Sequence, residues 1–352
     1  MSKQALIVKM GAIGDVITTV PAVRALHEQG FEIHWVCGSA ARPLLQCYSW
    51  IKIIPVDDRA IVKGTPMQRL KSMVGFWRQV AWKKWDLVAI LYYDWRYRLL
   101  ALPVRARRRV ALSNRSRTTA LVTVRSYSDE FARIILGQED SCRPQGMSPL
   151  RPDCLPRSPL SKTEAPRRIA IVPGGTANLI SQQTLRRWPI ENYVQVASHL
   201  KNRGWELVLI GGPEDEWVRS HFAGIEIIDC IARFSIPEVI SMFDTCDAVI
   251  SHDTGPMHMA GLSNACVVAL FGPTNPGHVL PRRPGIIGIW GGKEFACRPC
   301  YDLRTYAPCN LAGCMREISP TQVIQQLDRL LADRSRNNAE SWQVIFANPE
   351  SH

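Results

Sequence analysis

No apolar run in this chain approaches the roughly 20 residues that a membrane-spanning helix needs. The opening stretch, MSKQALIVKMGAIGD, holds only a short apolar run that meets a glycine turn, and it has no small-residue cleavage site of the A-x-A kind. It is therefore read as a strand, not a secretory signal, and the chain is expected to stay in the cytosol. Its eleven cysteines should then be reduced unless they hold a metal. The dinucleotide fingerprint G-x-G-x-x-G is missing as well. Where the first strand ends, KMGAIGDV (9–16) offers Gly11 and Gly14 at the spacing G-x-x-G, followed by Asp15, whose charge would repel a pyrophosphate. No RNA- or DNA-reading motif is present. Acidic residues are also short, 31 against 43 Lys and Arg, for a formal charge of +12. That balance favours an anionic partner, and nucleic acid, an anionic membrane surface and phosphorylated substrates all qualify. The positive residues bunch in RARRR (105–109) and SNRSR (113–117).

What is present is a soluble, globular composition, 46% hydrophobic and 21% charged, in 352 residues, enough for two domains. The β-rich runs ALIVKM (5–10), EIHWVCG (32–38), IKIIPV (51–56) and LVAILYY (87–93) alternate with helix-like stretches. After a proline-dense, polar segment at 137–168, read as a linker, the alternation restarts with RIAIVPGG (168–175), ELVLIGG (206–212), IEIIDC (225–230), AVISHD (248–253) and VVALFGP (267–273). This pattern predicts an α/β protein of two Rossmann-like domains, each with a parallel sheet, facing a central cleft. The expected boundaries are 1–160 for the first domain with its linker, 161–334 for the second, and a tail at 335–352 without clear period. An amphipathic helix over 320–334 should close the second domain.

Three strand-end motifs in the second half carry candidate chemistry. In SHDTGPMHMAGL (251–262), Asp253, Thr254 and Gly255 end a strand and open a helix, where backbone N–H groups suit phosphate oxygens. A plain N-cap is the competing reading. VPGGTAN (172–178) offers Gly174, Gly175 and Thr176 for close approach of backbone to a ligand, or simply for a turn that needs glycine. LRRWP supplies Arg186 and Arg187, and GGPEDEW puts Glu214 near the same rim, where a carboxylate can accept from a ribose. Taken singly, each of these charges also reads as solvated surface.

Together, KMGAIGDVITTVPAVRAL, PGG followed by RRWP, LIGGPED, SHDTGPMHMAGL and VALFGPTNP resemble the heptosyltransferases of glycosyltransferase family nine, over roughly residues 4–333. The resemblance implies a GT-B fold and an inverting transfer of heptose, with the second domain binding the donor substrate ADP-heptose and the first receiving the acceptor. It implies that Asp15 is the general base that takes the acceptor hydroxyl proton; an N-cap is the alternative for this residue. It places Arg186 at the diphosphate, Glu214 at the adenosine ribose, and Asp253, Thr254, Gly255 and His258 at the helix start, with His258 near the sugar. Pro256 removes one N–H there but suits the first helical position. ADP leaves without help from a metal if Arg186 and the helix dipole neutralise the growing charge. The basic stretch 105–117 is then either a dock for an anionic acceptor or a solvated loop.

Cys297, Cys300, Cys309 and Cys314 are spaced C-x2-C-x8-C-x4-C, which suits a tetrahedral structural site for Zn or Fe. Family relatives that glycosylate autotransporter proteins show a similar cysteine-rich pattern and hold iron. The leading expectation is transfer of heptose to the inner core of lipopolysaccharide, an anionic glycolipid acceptor, with peripheral contact at the inner membrane. The alternatives are transfer to protein hydroxyls, for which the cysteines are the hint, and a nucleotide- or nucleic-acid-binding module without transfer. The last rests on charge alone, and no nucleic acid partner is expected.

Overall fold

Four consecutive apolar side chains, Ala5 to Val8, sit at the centre of the first sheet and are inaccessible on both faces. That is the signature of a parallel strand covered by helices on either side. The computed structural model describes residues 2–113, 125–138, 147–161, 167–176, 183–298, 300, 306, 308–335 and 342–347. Its two units are Met1–Cys154 and Leu155–His352.

In the first unit, β1 (Lys3–Val8), β2 (Phe31–Cys37), β3 (Ile51–Pro55), β4 (Lys84–Ile90) and β5 (Arg105–Ala111) form a sheet in the order β3-β2-β1-β4-β5. All pairings are parallel; Ala5 stands opposite Ile33 on one side and Leu87 on the other. The chain runs outward from β1 to β3 and then returns to β4, so the order reverses between β1 and β4. One sheet face, including Leu6, Val8, Val36, Val88 and Ile90, is covered by the helices Pro66–Val80 and Trp95–Leu100 through Phe76, Val80, Tyr97 and Leu100. The longer helix starts on a capping box between Thr65 and Gln68, with Pro66 in its first turn.

The basic stretch departs from expectation. Residues 105–111 are not a loop; they are the edge strand β5, with Arg105, Arg107, Arg108 and Arg109 exposed along it. Charged side chains are what keep an edge strand from pairing with other chains. Residues 114–117 of the stretch lie outside the described residues.

In the second unit, β6 (Arg168–Val172), β7 (Glu206–Leu209), β8 (Ile228–Asp229), β9 (Ala248–His252), β10 (Cys266–Phe271), β11 (Ile286–Trp290) and β12 (Gln343–Phe346) make a parallel sheet in the order β12-β11-β10-β9-β6-β7-β8. The order reverses between β6 and β9. The closing helix spans Pro320–Ser335 and buries Val323, Leu327 and Leu330 against that sheet. The tail is not structureless throughout: β12 extends the sheet by pairing with β11, Ile289 opposite Ile345, and Trp290 stacks on Phe346.

Phe76 is 1% exposed and anchors the helix Pro66–Val80 to the sheet. Phe76→Ala should therefore cost about 3 to 5 kcal/mol in urea unfolding. A loss below about 1 kcal/mol would mean that this contact does not hold the helix.

Candidate active site

Ligands in open parallel sheets bind beyond the carboxyl ends of the strands where the order reverses. In the second unit that point lies between β6 and β9, and their exit loops are Pro173–Thr176 and Asp253–Gly255. The two loops are tied directly. The Thr176 N–H donates to the Thr254 hydroxyl at 3.2 Å, and a Cβ on Gly175 would stand 2.4 Å from that same oxygen. Thr254 occupies the N-cap position of the helix Gly255–Gly261, but its hydroxyl caps nothing on its own helix. It serves the neighbouring loop instead.

Gly175 and Thr176 are both left-handed, with φ of 87° and 69°. For a buried threonine this conformation is costly, and such residues cluster at ligand clamps. The Thr176 hydroxyl is buried with no hydrogen-bond partner among the described residues.

Asp215 organises the rim, although the sequence pattern points to its neighbour Glu214. It is 4% exposed, and its two oxygens accept from Gly175 N–H at 2.6 Å and Gly212 N–H at 2.8 Å, joining the exits of β6 and β7. A Cβ on Gly174 would lie 2.3 Å from this carboxyl carbon, which is why glycine stands there. Glu214 is exposed in the first turn of the 3-10 helix Pro213–Phe222, open to a ligand. The Asp215 signal was the spacing: Asp215, Val218 and Phe222 share the buried face.

Arg187 donates to the Gly175 carbonyl at 2.9 and 3.3 Å and lies over the Trp217 ring at 5.0 Å. Arg186 pairs with Asp253 at 3.2 Å. Burial raises the Asp253 carboxyl, but Arg186, the Thr274 hydroxyl and the His258 ring outweigh it and hold its pKa below the usual value. His258 is 7% exposed on the following helix, in electrostatic reach of Asp253. Tyr306, from the cysteine-bearing segment, lies against the same Arg186, Asp253 and Thr274, and burial pushes its phenol up. Behind them, His252 is fully buried and its Nδ1 meets the Tyr193 hydroxyl at 3.0 Å. Burial, with Arg186 adding to it, brings the His252 pKa down to about 3.

In the first unit the order reverses between β1 and β4. Asp15 lies in the first turn of the helix Ile13–Glu28, whose N-cap is Ala12, so the alternative reading of Asp15 as the cap does not hold. Its half-exposed carboxylate meets the Lys9 ammonium at 3.0 Å. Lys9 is buried, donates to the Leu91 carbonyl at 3.2 Å and stands 4.4 Å from the Tyr92 ring centre. The Tyr92 hydroxyl accepts from Met10 and Gly11 N–H and donates to the Gly11 carbonyl, pinning the loop that precedes Asp15. The arrangement leaves an oriented carboxylate able to take a proton.

The four clustered cysteines do not form the closed site expected of them: among the described residues, no group of three or more His, Cys, Asp or Glu is arranged to hold a metal ion. They are nonetheless neighbours. Burial and the thiols of Cys300, Cys309 and Cys297 raise the Cys314 thiol to about 11. The segment is docked on the end of β10 by the Cys300 N–H, which donates to the Pro273 carbonyl at 3.1 Å.

A family profile described as glycosyltransferase family 9 (heptosyltransferase) matches residues 157–309, the span that holds the P-G-G, GGPED and D-T-G loops. The matched span lies within the second unit. Over 93% of its length it is 25% identical to lipopolysaccharide heptosyltransferase 1 of Pseudomonas aeruginosa, covering 97% of that protein. It is 22% identical to the lipopolysaccharide core heptosyltransferase OpsX of Haemophilus influenzae, with the same coverage. Its fold matches the E. coli ADP-heptose heptosyltransferase II at a TM-score of 0.69 and 16% identity, covering 94% of this chain and 99% of that one. The two parallel-sheet units are thus a GT-B fold.

Two outcomes follow from the rim. Asp215→Ala leaves two backbone donors without acceptors and should cost roughly 2 to 4 kcal/mol of stability, whereas Glu214→Ala should stay within about 0.5 kcal/mol. Equal, small effects in denaturant titrations would remove Asp215 from its place. For His252, the folded state refuses a proton that the unfolded chain takes up below its ordinary 6.5. Its contribution to stability is thus complete above that pH and is lost as pH falls from 6.5 toward 3. Stability measured between these limits should fall less steeply in His252→Gln than in the native protein; identical slopes would contradict the assignment.

Proposed function

We propose that this glycosyltransferase moves heptose from ADP-heptose to the inner core of lipopolysaccharide, inverting the anomeric centre. The observation that carries this reading is that the relatives matched over 97% of their length are lipopolysaccharide heptosyltransferases. The donor is assigned to the second unit. Gly174, Gly175, Thr176, Asp253, Thr254 and Gly255 bring backbone to the diphosphate, Arg186 offsets its charge, Glu214 accepts from the ribose, and His258 lies toward the sugar. The acceptor hydroxyl oxygen attacks the anomeric carbon, the bond to the diphosphate breaks, and the proton passes to Asp15. Lys9 holds that carboxylate in place. The reaction is assigned to the cytoplasmic side, at the inner membrane surface where a glycolipid acceptor resides, and nucleic acid has no part in it.

ADP release from ADP-heptose should require a Kdo-lipid A acceptor. Release only with a protein acceptor would favour the second reading, modification of protein hydroxyls, to which the cysteine cluster lends support; release with neither would overturn transfer. Asp15→Asn should keep ADP affinity and lower turnover at least about 100-fold. Near-normal turnover would remove Asp15 as the base.

We also assign Cys297, Cys300, Cys309 and Cys314 one structural Zn or Fe, supported by their spacing and by their mutual effect on Cys314. Since the thiols are near one another but not closed into a set, the ion would draw them together and fix the segment beside Tyr306; it takes no part in the transfer. Elemental analysis of protein purified without chelator should find about one equivalent, lost in Cys300→Ser together with thermal stability. Metal-free protein with freely titrating thiols would refute it.

A further inference from the structure

The charge of this protein is not spread evenly. Residues 59–113 carry thirteen Lys and Arg against two acids, Asp86 and Asp94, which leaves the rest of the chain close to neutral. Both acids are engaged, Asp86 by the Gln4 N–H and Asp94 by Arg96. Among the described residues, the same stretch holds most of the large apolar side chains that the fold leaves in water: Trp82 is 89% exposed, Met67 74%, Leu102 70% and Trp95 66%, with Leu70 and Leu99 also exposed.

These residues lie on adjoining elements. The helices Pro66–Val80 and Trp95–Leu100 cover one face of the first sheet, joined by the Trp77 indole N–H, which donates to the Leu100 carbonyl at 2.7 Å. The longer helix turns Phe76 and Val80 inward, so at about 100° per residue Met67, Leu70, Lys71, Val74 and Arg78 fall together on one outer flank. At the end of this helix Trp82 precedes Lys83 and Lys84, and Lys84 pairs in register with Arg105 of β5. Arg105 and Arg107 continue the positive edge.

We propose that this face docks the first unit on an anionic phospholipid bilayer. The tryptophans, Met67 and the leucines enter the interfacial region, and Lys71, Arg78, Lys83, Lys84, Arg105 and Arg107 meet the phosphates. An aromatic and aliphatic surface rimmed by cations is what an anionic interface attracts, each cation adding to the pull. Exposed Leu and Met favour a bilayer over nucleic acid, which calls for stacking rings and hydrogen-bonding side chains more than aliphatic ones. The proposal extends the glycolipid-acceptor reading by naming where the chain meets the membrane, and its readout is independent of transfer.

The test is co-sedimentation of the full-length protein with vesicles of phosphatidylglycerol and phosphatidylethanolamine, with phosphatidylcholine vesicles as the control. Binding should be confined to the anionic vesicles and should weaken with salt. It should fall about tenfold or more in the double variants Trp82→Ala/Trp95→Ala and Lys71→Glu/Lys84→Glu. All four side chains are exposed, so thermal midpoint and ADP affinity should stay as in the native protein. No binding to the anionic vesicles, binding unchanged in both variants, or displacement of the vesicles by an RNA homopolymer would each overturn the proposal. Failure of transfer with vesicle binding intact would instead count against the acceptor reading.

Discussion

The rim of the second unit depends on one buried carboxylate. Asp215 takes the N–H groups of Gly175 and Gly212 at 2.6 and 2.8 Å, so the exits of β6 and β7 are held by the same two oxygens. From there the constraint spreads. Gly175, fixed on one side by Asp215, offers its carbonyl to Arg187, and its left-handed turn carries Thr176 onto the Thr254 hydroxyl. Asp253, next along, holds Arg186. Each link places a backbone or a charge beside the reversal in strand order, where the sheet itself leaves room for a ligand. Because the Asp215 carboxylate takes one N–H from each of two loops, removing it frees both at once.

Each unit uses the same geometric opportunity with different chemistry. In the second, glycines, a strained threonine and paired arginines suit an anionic ligand brought close to backbone. In the first, the loop after β1 is stiffened by Tyr92, and Asp15 is oriented by a buried lysine. An acid stands at this turn, where a dinucleotide fold would bring backbone to a pyrophosphate. The absence of G-x-G-x-x-G from the first strand end and the concentration of glycine motifs in the second half go with that difference in charge.

Much of this was legible because it rests on local pattern. Central strands such as ALIV and AIV are buried on both faces, so their apolar runs announce them, and the helix Pro320–Ser335 shows its period plainly. Three strands were not legible as such. β5 is an edge strand whose charged side chains mask its pairing, β12 is four residues set in a polar tail, and β11 carries a glycine in mid-strand. Asp215 was hidden for another reason. In P-E-D-E three acids are equivalent by type, and only the phase set by Val218 and Phe222 singles out the one that turns inward. The role of the Thr254 hydroxyl was beyond local pattern altogether, because its partner, Thr176, is distant in sequence and meets it only when β6 and β9 pair.

The central claim is that the donor nucleotide lies on the β6 and β9 exits of the second unit and not on the glycine turn after β1. Hydrogen exchange of the full-length protein with and without ADP measures this at the backbone. ADP should slow exchange in peptides covering 172–176 and 251–258, and leave the peptide covering 9–16 unchanged. Protection confined to 9–16 would place the nucleotide on the first unit and contradict the account.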